Sequence, residues 1–166
     1  MINILFVCLG NICRSPMAEG LFKKQVAEAG MNDQISCDSA GTASFHLGQQ
    51  PDKRMVSTAS SHGVKLNHKA RQFNKADFNT FDYIVVMDES NFNNVMKIKP
   101  LKGKAKVIFM RNYDEYVLGV KEVPDPYYGT MEDFQTCYYI LESCCRNFLK
   151  EIIETKSLKL QSNHNV

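Results

Sequence analysis

The sequence predicts an α/β domain built on a mostly parallel sheet. Two observations carry this. Short apolar runs alternate with amphipathic helical segments along most of the chain. The first run, Ile4-Leu5-Phe6-Val7, is apolar at every position, as a buried strand would be. A length of 166 residues suits one domain with one good hydrophobic core. We expect that domain to span residues 1–156, with a polar tail at 157–166 that frays. Crossovers should be right-handed, and ligands should bind at the carboxyl ends of the strands.

Each element has its own signal. Ser15-Pro16 predicts a helix start, with a capping hydroxyl followed by a ring preset to helical φ. Ala18, Leu21, Phe22, Val26 and Ala29 recur at helical spacing, and Gly30 ends the run. Ile35 to Thr42 reads as a short strand running into a turn. Asp52 to His62 reads as a helix closed by Gly63. Phe81 to Met87 is a third strand, and Asp88-Glu89-Ser90 opens a helix reaching about Ile98. Ala105 to Met110 is a fourth strand. An irregular stretch comes next, from Arg111 to Gly129. Thr130 offers a hydroxyl cap to the last helix, whose buried face is marked by Phe134, Cys137, Tyr138, Leu141, Cys144, Cys145, Phe148 and Ile152.

Composition excludes several classes. A net charge of +2 makes no case for nucleic acid or a membrane surface. No stretch is long and apolar enough for an integral membrane segment, and the N-terminus begins with a strand and lacks a signal-peptide pattern. The six cysteines are irregularly spaced, without a CxxC pair or zinc spacing, so reduced thiols in the cytoplasm are expected. Cys137, Cys144 and Cys145 read as small core residues. Lys97, Lys99, Lys102, Lys104 and Lys106 form a basic run that reads as a solvated loop.

The chemistry concentrates at Cys8-Leu9-Gly10-Asn11-Ile12-Cys13-Arg14-Ser15, which joins the end of a strand to the start of a helix. Backbone N–H groups point outward there, and the helix dipole favours an anion. The N–H groups between Cys8 and Arg14 can curl around one tetrahedral oxyanion, such as phosphate. Arg14 can grip two of its oxygens in a fork that Lys lacks. Positive surroundings favour the Cys8 thiolate. Gly10 and Asn11 suit a loop that visits positive φ. There is no Gly-Lys-Ser/Thr, so this is not the nucleotide-binding loop.

A second element lies in the irregular stretch, at Val123-Pro124-Asp125-Pro126-Tyr127-Tyr128-Gly129. Displacing a phosphate monoester with a thiolate requires an acid for the leaving oxygen, and Asp125 on its stiff loop could supply it. Tyr127 and Tyr128 could wall a slot for a flat ring.

Together these two elements resemble the low-molecular-weight protein tyrosine phosphatases. Cys8–Ser15 matches that family's phosphate loop, and Asp125–Gly129 matches its general-acid loop. Asp38-Ser39-Ala40-Gly41-Thr42, His68-Lys69-Ala70-Arg71 and Met87-Asp88-Glu89-Ser90-Asn91 fall in the family's order. The resemblance implies a single domain with a four-stranded parallel sheet flanked by helices on both faces, acting in the cytoplasm without metal or cofactor. It implies Cys8 as nucleophile, Arg14 as phosphate clamp, and Asp125 as general acid and then base. Leu9, Gly10, Asn11, Ile12, Cys13, Arg14, Ser15, Phe45, Tyr127 and Tyr128 would contact the substrate, a phosphotyrosine-containing protein. Asn11 would hold the loop with Ser39 and His68 behind it, and Ser15 would donate to the Cys8 sulfur. Phe45 stands where the family often carries Trp or another large residue at the rim.

Because Cys8 and Cys13 share one loop, a reversible disulfide between them under peroxide is expected. Three rival readings are weaker. An arsenate reductase needs further thiols after the third strand, where Asp82–Asn94 has none. A protein-arginine phosphatase tends to carry Thr where this chain has Ile12. A phosphotyrosine-binding module without turnover would not need both Cys8 and Asp125.

Overall fold

The computed structural model describes residues 1–164. Four parallel strands form one sheet: β1 (Ile2–Cys8), β2 (Ile35–Gly41), β3 (Tyr83–Val86) and β4 (Lys106–Phe109), in the order β2-β1-β3-β4. β1 is central, pairing with β2 on one side and β3 on the other. Ile4, Leu5, Phe6 and Val7 are all fully buried because each face of β1 lies against its own apolar layer. Ile4 and Phe6 pack with Phe22 of α1 (Arg14–Glu28) and with Phe134 and Phe148 of α5 (Met131–His164). Leu5 and Val7 pack with Phe78 of α3 (Asp77–Thr80) and Val95 of α4 (Glu89–Lys97). α2 (Lys53–Ser61) rests on α5.

The expected fold class stands, and the differences have local causes. α1 starts at Arg14, with Cys13 at the cap position and no side-chain cap. The Ser15 hydroxyl is therefore free of the capping role and turns to Cys8 instead. Ala29 is exposed and Gly30, at φ 68°, closes the helix. At α5 the Thr130 hydroxyl does not accept from the first turn. It donates to Asp133, whose carboxylate also accepts the Thr130 N–H at 2.7 Å, the returning half of a capping box. α3 and a single 3-10 turn at Met110–Tyr113 are too short to show periodicity in sequence. The helix also runs past Ser157 to His164, where fraying was expected. No glycine or proline interrupts that segment, and Lys, Leu and Gln are good helix formers. Residues 165–166 lie outside the described residues.

All the cysteines are free. Cys137, Cys144 and Cys145 are buried on the core face of α5, and Tyr138 is half-buried. The lysine run is exposed, with Lys104 paired to Asp82 at 3.2 Å. No helix among the described residues is long and apolar enough to cross a membrane.

Candidate active site

β1 delivers Cys8 to the carboxyl edge of the sheet, and α1 begins at Arg14. The intervening loop is closed from outside by the end of β2 and the two residues beyond it. Thr42 and Ala43 donate backbone N–H groups to the carbonyls of Cys8 and Leu9, at 2.9 and 3.0 Å. Gly41 makes this approach possible, since a Cβ there would sit 2.6 Å from the Leu9 carbonyl oxygen. With their carbonyls held outward, the loop residues direct N–H groups inward. The Asn11 N–H donates to the Cys8 sulfur at 3.3 Å.

Asn11 is the hub. It is fully buried and, among the described residues, the one non-glycine with positive φ, 57°. Gly10 does not adopt positive φ, contrary to the sequence expectation; a Cβ there would meet the His46 ring at 3.0 Å. The Asn11 amide donates to Ser15 Oγ at 2.8 Å and Ser39 Oγ at 3.0 Å. Its carbonyl accepts from His68 Nε2 at 2.7 Å and the Arg71 N–H at 3.0 Å. All its side-chain capacity is used, so this strained backbone is over-determined. Ser15 Oγ lies 2.9 Å from the Cys8 sulfur. Because Asn11 already donates to it, Ser15 turns its own proton outward. Its candidate acceptors are that sulfur and the more distant Ala40 carbonyl, at 3.4 Å.

One member of this network went unrecognised in the sequence. Glu19, on α1, is buried; it accepts from Ser39 Oγ at 2.8 Å, His68 Nδ1 at 3.1 Å and Lys23 at 2.6 Å. Burial opposes its charge, but His68 and Lys23 outweigh burial and hold the carboxyl below its ordinary range. Only Lys23, one turn further along α1, is local and reads as an ordinary surface pair; Ser39 and His68 come from β2 and a distant loop, so the sequence does not mark Glu19 as part of this network. Glu19, Asp38 and His68 place potential metal-ligand atoms close together. However, Lys23 neutralises Glu19 and Arg71 pairs with Asp38 at 3.3 Å, so the cluster reads as ion pairs.

The Arg14 guanidinium is buried. Nη1 donates to Asp88 at 2.7 Å and to the Val123 carbonyl at 3.0 Å, and Nη2 to Asp125 at 3.3 Å. Burial works against its charge, but Cys8, Asp125 and Asp88 together raise its pKa. Asp88 also caps α4, accepting the Asn91 N–H at 2.7 Å. The sequence marks Asp88 as a helix start within a segment that resembles the family but gives it no role in the site; its place just after β3, at the ligand-binding sheet edge, is the available signal.

Asp125 therefore sits directly over the phosphate loop. A cavity of about 130 Å³ is lined by Cys8, Leu9, Gly10, Ile12, Cys13, Arg14, Phe45, His46, Asp125, Tyr127 and Tyr128. These are the predicted contact residues, save Asn11 and Ser15, which support the loop from behind; His46 was not foreseen. The His46 and Tyr127 rings lie 6.0 Å apart, and Phe45 and Tyr128 are exposed at the rim.

Fold and site together define an α/β protein that presents a buried thiol and a fixed guanidinium to an oxyanion. The chain belongs to the low molecular weight phosphotyrosine protein phosphatase family, whose model matches residues 3–158. It is 43% identical over 152 residues to the low molecular weight phosphotyrosine protein phosphatase of Schizosaccharomyces pombe, covering 91% of this chain and 97% of that one. It is similar to the solved structure of an Entamoeba histolytica protein tyrosine phosphatase with Hepes in its active site, at 40% identity and TM-score 0.89, covering 94% of this chain and 99% of that one. It also matches the solved structure of Drosophila arginine phosphatase, at 32% identity and TM-score 0.83, covering 90% of this chain and 96% of that one.

Proposed function

We propose that this chain hydrolyses phosphotyrosine in cytoplasmic proteins through a cysteinyl-phosphate. The observation that carries this reading is the placement of Asp125 above a cradle with Cys8 at its floor. Phosphate enters with its oxygens toward the loop N–H groups and Arg14. The dianion takes over the Nη2 donor that Arg14 spends on Asp125, leaving that carboxyl free to face the leaving oxygen. The Cys8 thiolate attacks phosphorus, and the S–P bond forms as the P–O bond to the phenol breaks. Asp125 protonates the departing oxygen. Asp125 then takes a proton from water, whose oxygen attacks phosphorus. The S–P bond breaks, releasing phosphate and the thiolate, which Ser15 stabilises.

Hydrolysis of p-nitrophenyl phosphate in the presence of chelator tests the metal-free reading. Cys8→Ser should abolish turnover while keeping phosphate binding; near-normal activity would remove Cys8 from its role. A panel of phosphotyrosine, phosphoserine and phosphoarginine decides the substrate. The similarity to an arginine phosphatase makes phosphoarginine the second reading. Ile12, an apolar wall residue of the cavity, favours the phenol.

Cys13 lines the same cavity, and burial, then Asp52, push its thiol up. It thus stays protonated while peroxide oxidises Cys8 to a sulfenic acid. Attack by the Cys13 sulfur expels water and forms the disulfide, which thiol reverses. If Cys13→Ser recovers from peroxide as fully as the parent protein, this protection does not operate.

A further inference from the structure

Arg54, in the first turn of α2, holds three parts of the molecule at once. Its Nε and Nη2 grip both carboxylate oxygens of Asp52, at 3.1 and 2.8 Å. The same Nη2 donates to the Tyr127 carbonyl at 3.0 Å. Its guanidinium carbon lies 4.6 Å from the Phe134 ring centroid and 5.6 Å from that of Tyr127. Asp52 in turn donates its backbone N–H to the Ile12 carbonyl at 2.8 Å. A continuous chain of contacts therefore runs from the phosphate loop, through Asp52 and Arg54, to the residue two places after Asp125.

Pro124 and Pro126 cannot donate main-chain hydrogen bonds, so the segment carrying Asp125 depends on its two ends. One end is fixed by the Val123 N–H on the Met87 carbonyl, at 2.8 Å, and by Arg14 on the Val123 carbonyl, at 3.0 Å. At the other, the Tyr127 N–H donates to Asp125 at 3.2 Å and the Tyr127 carbonyl accepts from Arg54.

We infer that Arg54 is a positioning residue, which uses Asp52 as its anchor to set the height of Asp125 above the phosphate loop. The inference rests on Asp125 being the general acid. A planar fork is needed to engage two carboxylate oxygens and a carbonyl together, which an ammonium cannot reproduce. The Arg54 side chain is 40% exposed, so its contribution is geometric more than coulombic.

The test compares first-step rates, by rapid quench, on a phosphotyrosine peptide and on p-nitrophenyl phosphate. Arg54→Ala should slow the phosphotyrosine reaction by about tenfold, as a displaced catalytic group does. It should slow the nitrophenyl reaction much less and leave inhibition by inorganic phosphate unchanged. Arg54→Lys and Asp52→Asn should show the same selectivity; Asn still caps α2, so that variant separates the clasp from the helix. In an Asp125→Ala background, Arg54→Ala should cost nothing more on phosphotyrosine. Equal losses on both substrates, weakened phosphate inhibition, or a full additional loss in that background would overturn the role. If Asp125→Ala shows leaving-group selectivity and Arg54→Ala shows none, this inference alone fails. If Asp125→Ala shows none, the general-acid reading falls and takes this inference with it.

Discussion

The phosphate loop and the Asp125 loop, which serve one reaction in the proposed mechanism, are built in opposite ways. Apart from Leu9 and Gly10, the phosphate loop is buried, and it is saturated with hydrogen bonds around Asn11, drawing on α1, β2 and the His68 segment. The Asp125 loop is held chiefly at its two ends, and its carboxylate side chain is 41% exposed. A site for a dianion must be organised before the ligand arrives, because donors that reorient on binding lose their advantage. An acid that must reach both a leaving oxygen and a water needs stiffness and access. Substitutions in the first region should therefore reduce stability and anion affinity together. Substitutions in the second should reduce catalysis alone.

The largest catalytic effect in the acid loop is expected from Asp125→Asn. It should slow phosphotyrosine cleavage roughly a hundred- to ten-thousand-fold, the range for lost acid–base catalysis. The phenol, with a pKa of about 10, leaves poorly without a proton, whereas nitrophenolate is a far more stable anion. First-step loss on p-nitrophenyl phosphate should be smaller. Unfolding in denaturant should change by less than about 0.5 kcal/mol. A large loss of stability would erase the contrast between the regions.

Asn11→Ala should do the reverse. It strands Ser15, Ser39, His68 and the Arg71 N–H and puts alanine at positive φ, so we expect about 2–4 kcal/mol of destabilisation in urea unfolding. Phosphate inhibition should weaken about tenfold, equivalent to 1.4 kcal/mol. Unchanged phosphate affinity would mean that the loop keeps its shape without its hub.

Glu19→Gln sharpens the contrast at acid pH. The folded-state pKa of Glu19 is lowered, so its carboxylate stabilises the fold at neutral pH. That stability is fully present above the ordinary Glu value of about 4.3 and is lost as pH falls through the lower folded value. Thermal melts from pH 6 downward should therefore fall less steeply in Glu19→Gln than in the parent protein. Parallel slopes would remove Glu19 from the charged network.

Legibility in the sequence divides along the same line. The cradle is contiguous, so strand, loop, thiol and guanidinium could all be read from Ile4 to Pro16. Asp125 was legible because two prolines and two tyrosines mark its loop. Glu19, His46 and Arg54 were not, because the contacts that place them in the site come from tertiary structure and each sits in an ordinary helical or loop context; Asp88 was marked by its position after β3 but not by any visible partner. The Ser15 hydroxyl was misread as a cap for a related reason: local propensity favours capping, but the neighbouring sulfur and Asn11 claim the oxygen.

The most direct test of this division of labour is to trap the covalent intermediate. Asp125→Asn, mixed with p-nitrophenyl phosphate and acid-quenched in the first turnover, should still form the S–P bond but hydrolyse it slowly. Mass spectrometry should then find one phosphate, on Cys8, accumulating to nearly one per molecule and absent in the Cys8→Ser, Asp125→Asn double variant. Phosphate on another residue, or a nitrophenol burst with no covalent phosphate, would contradict the account.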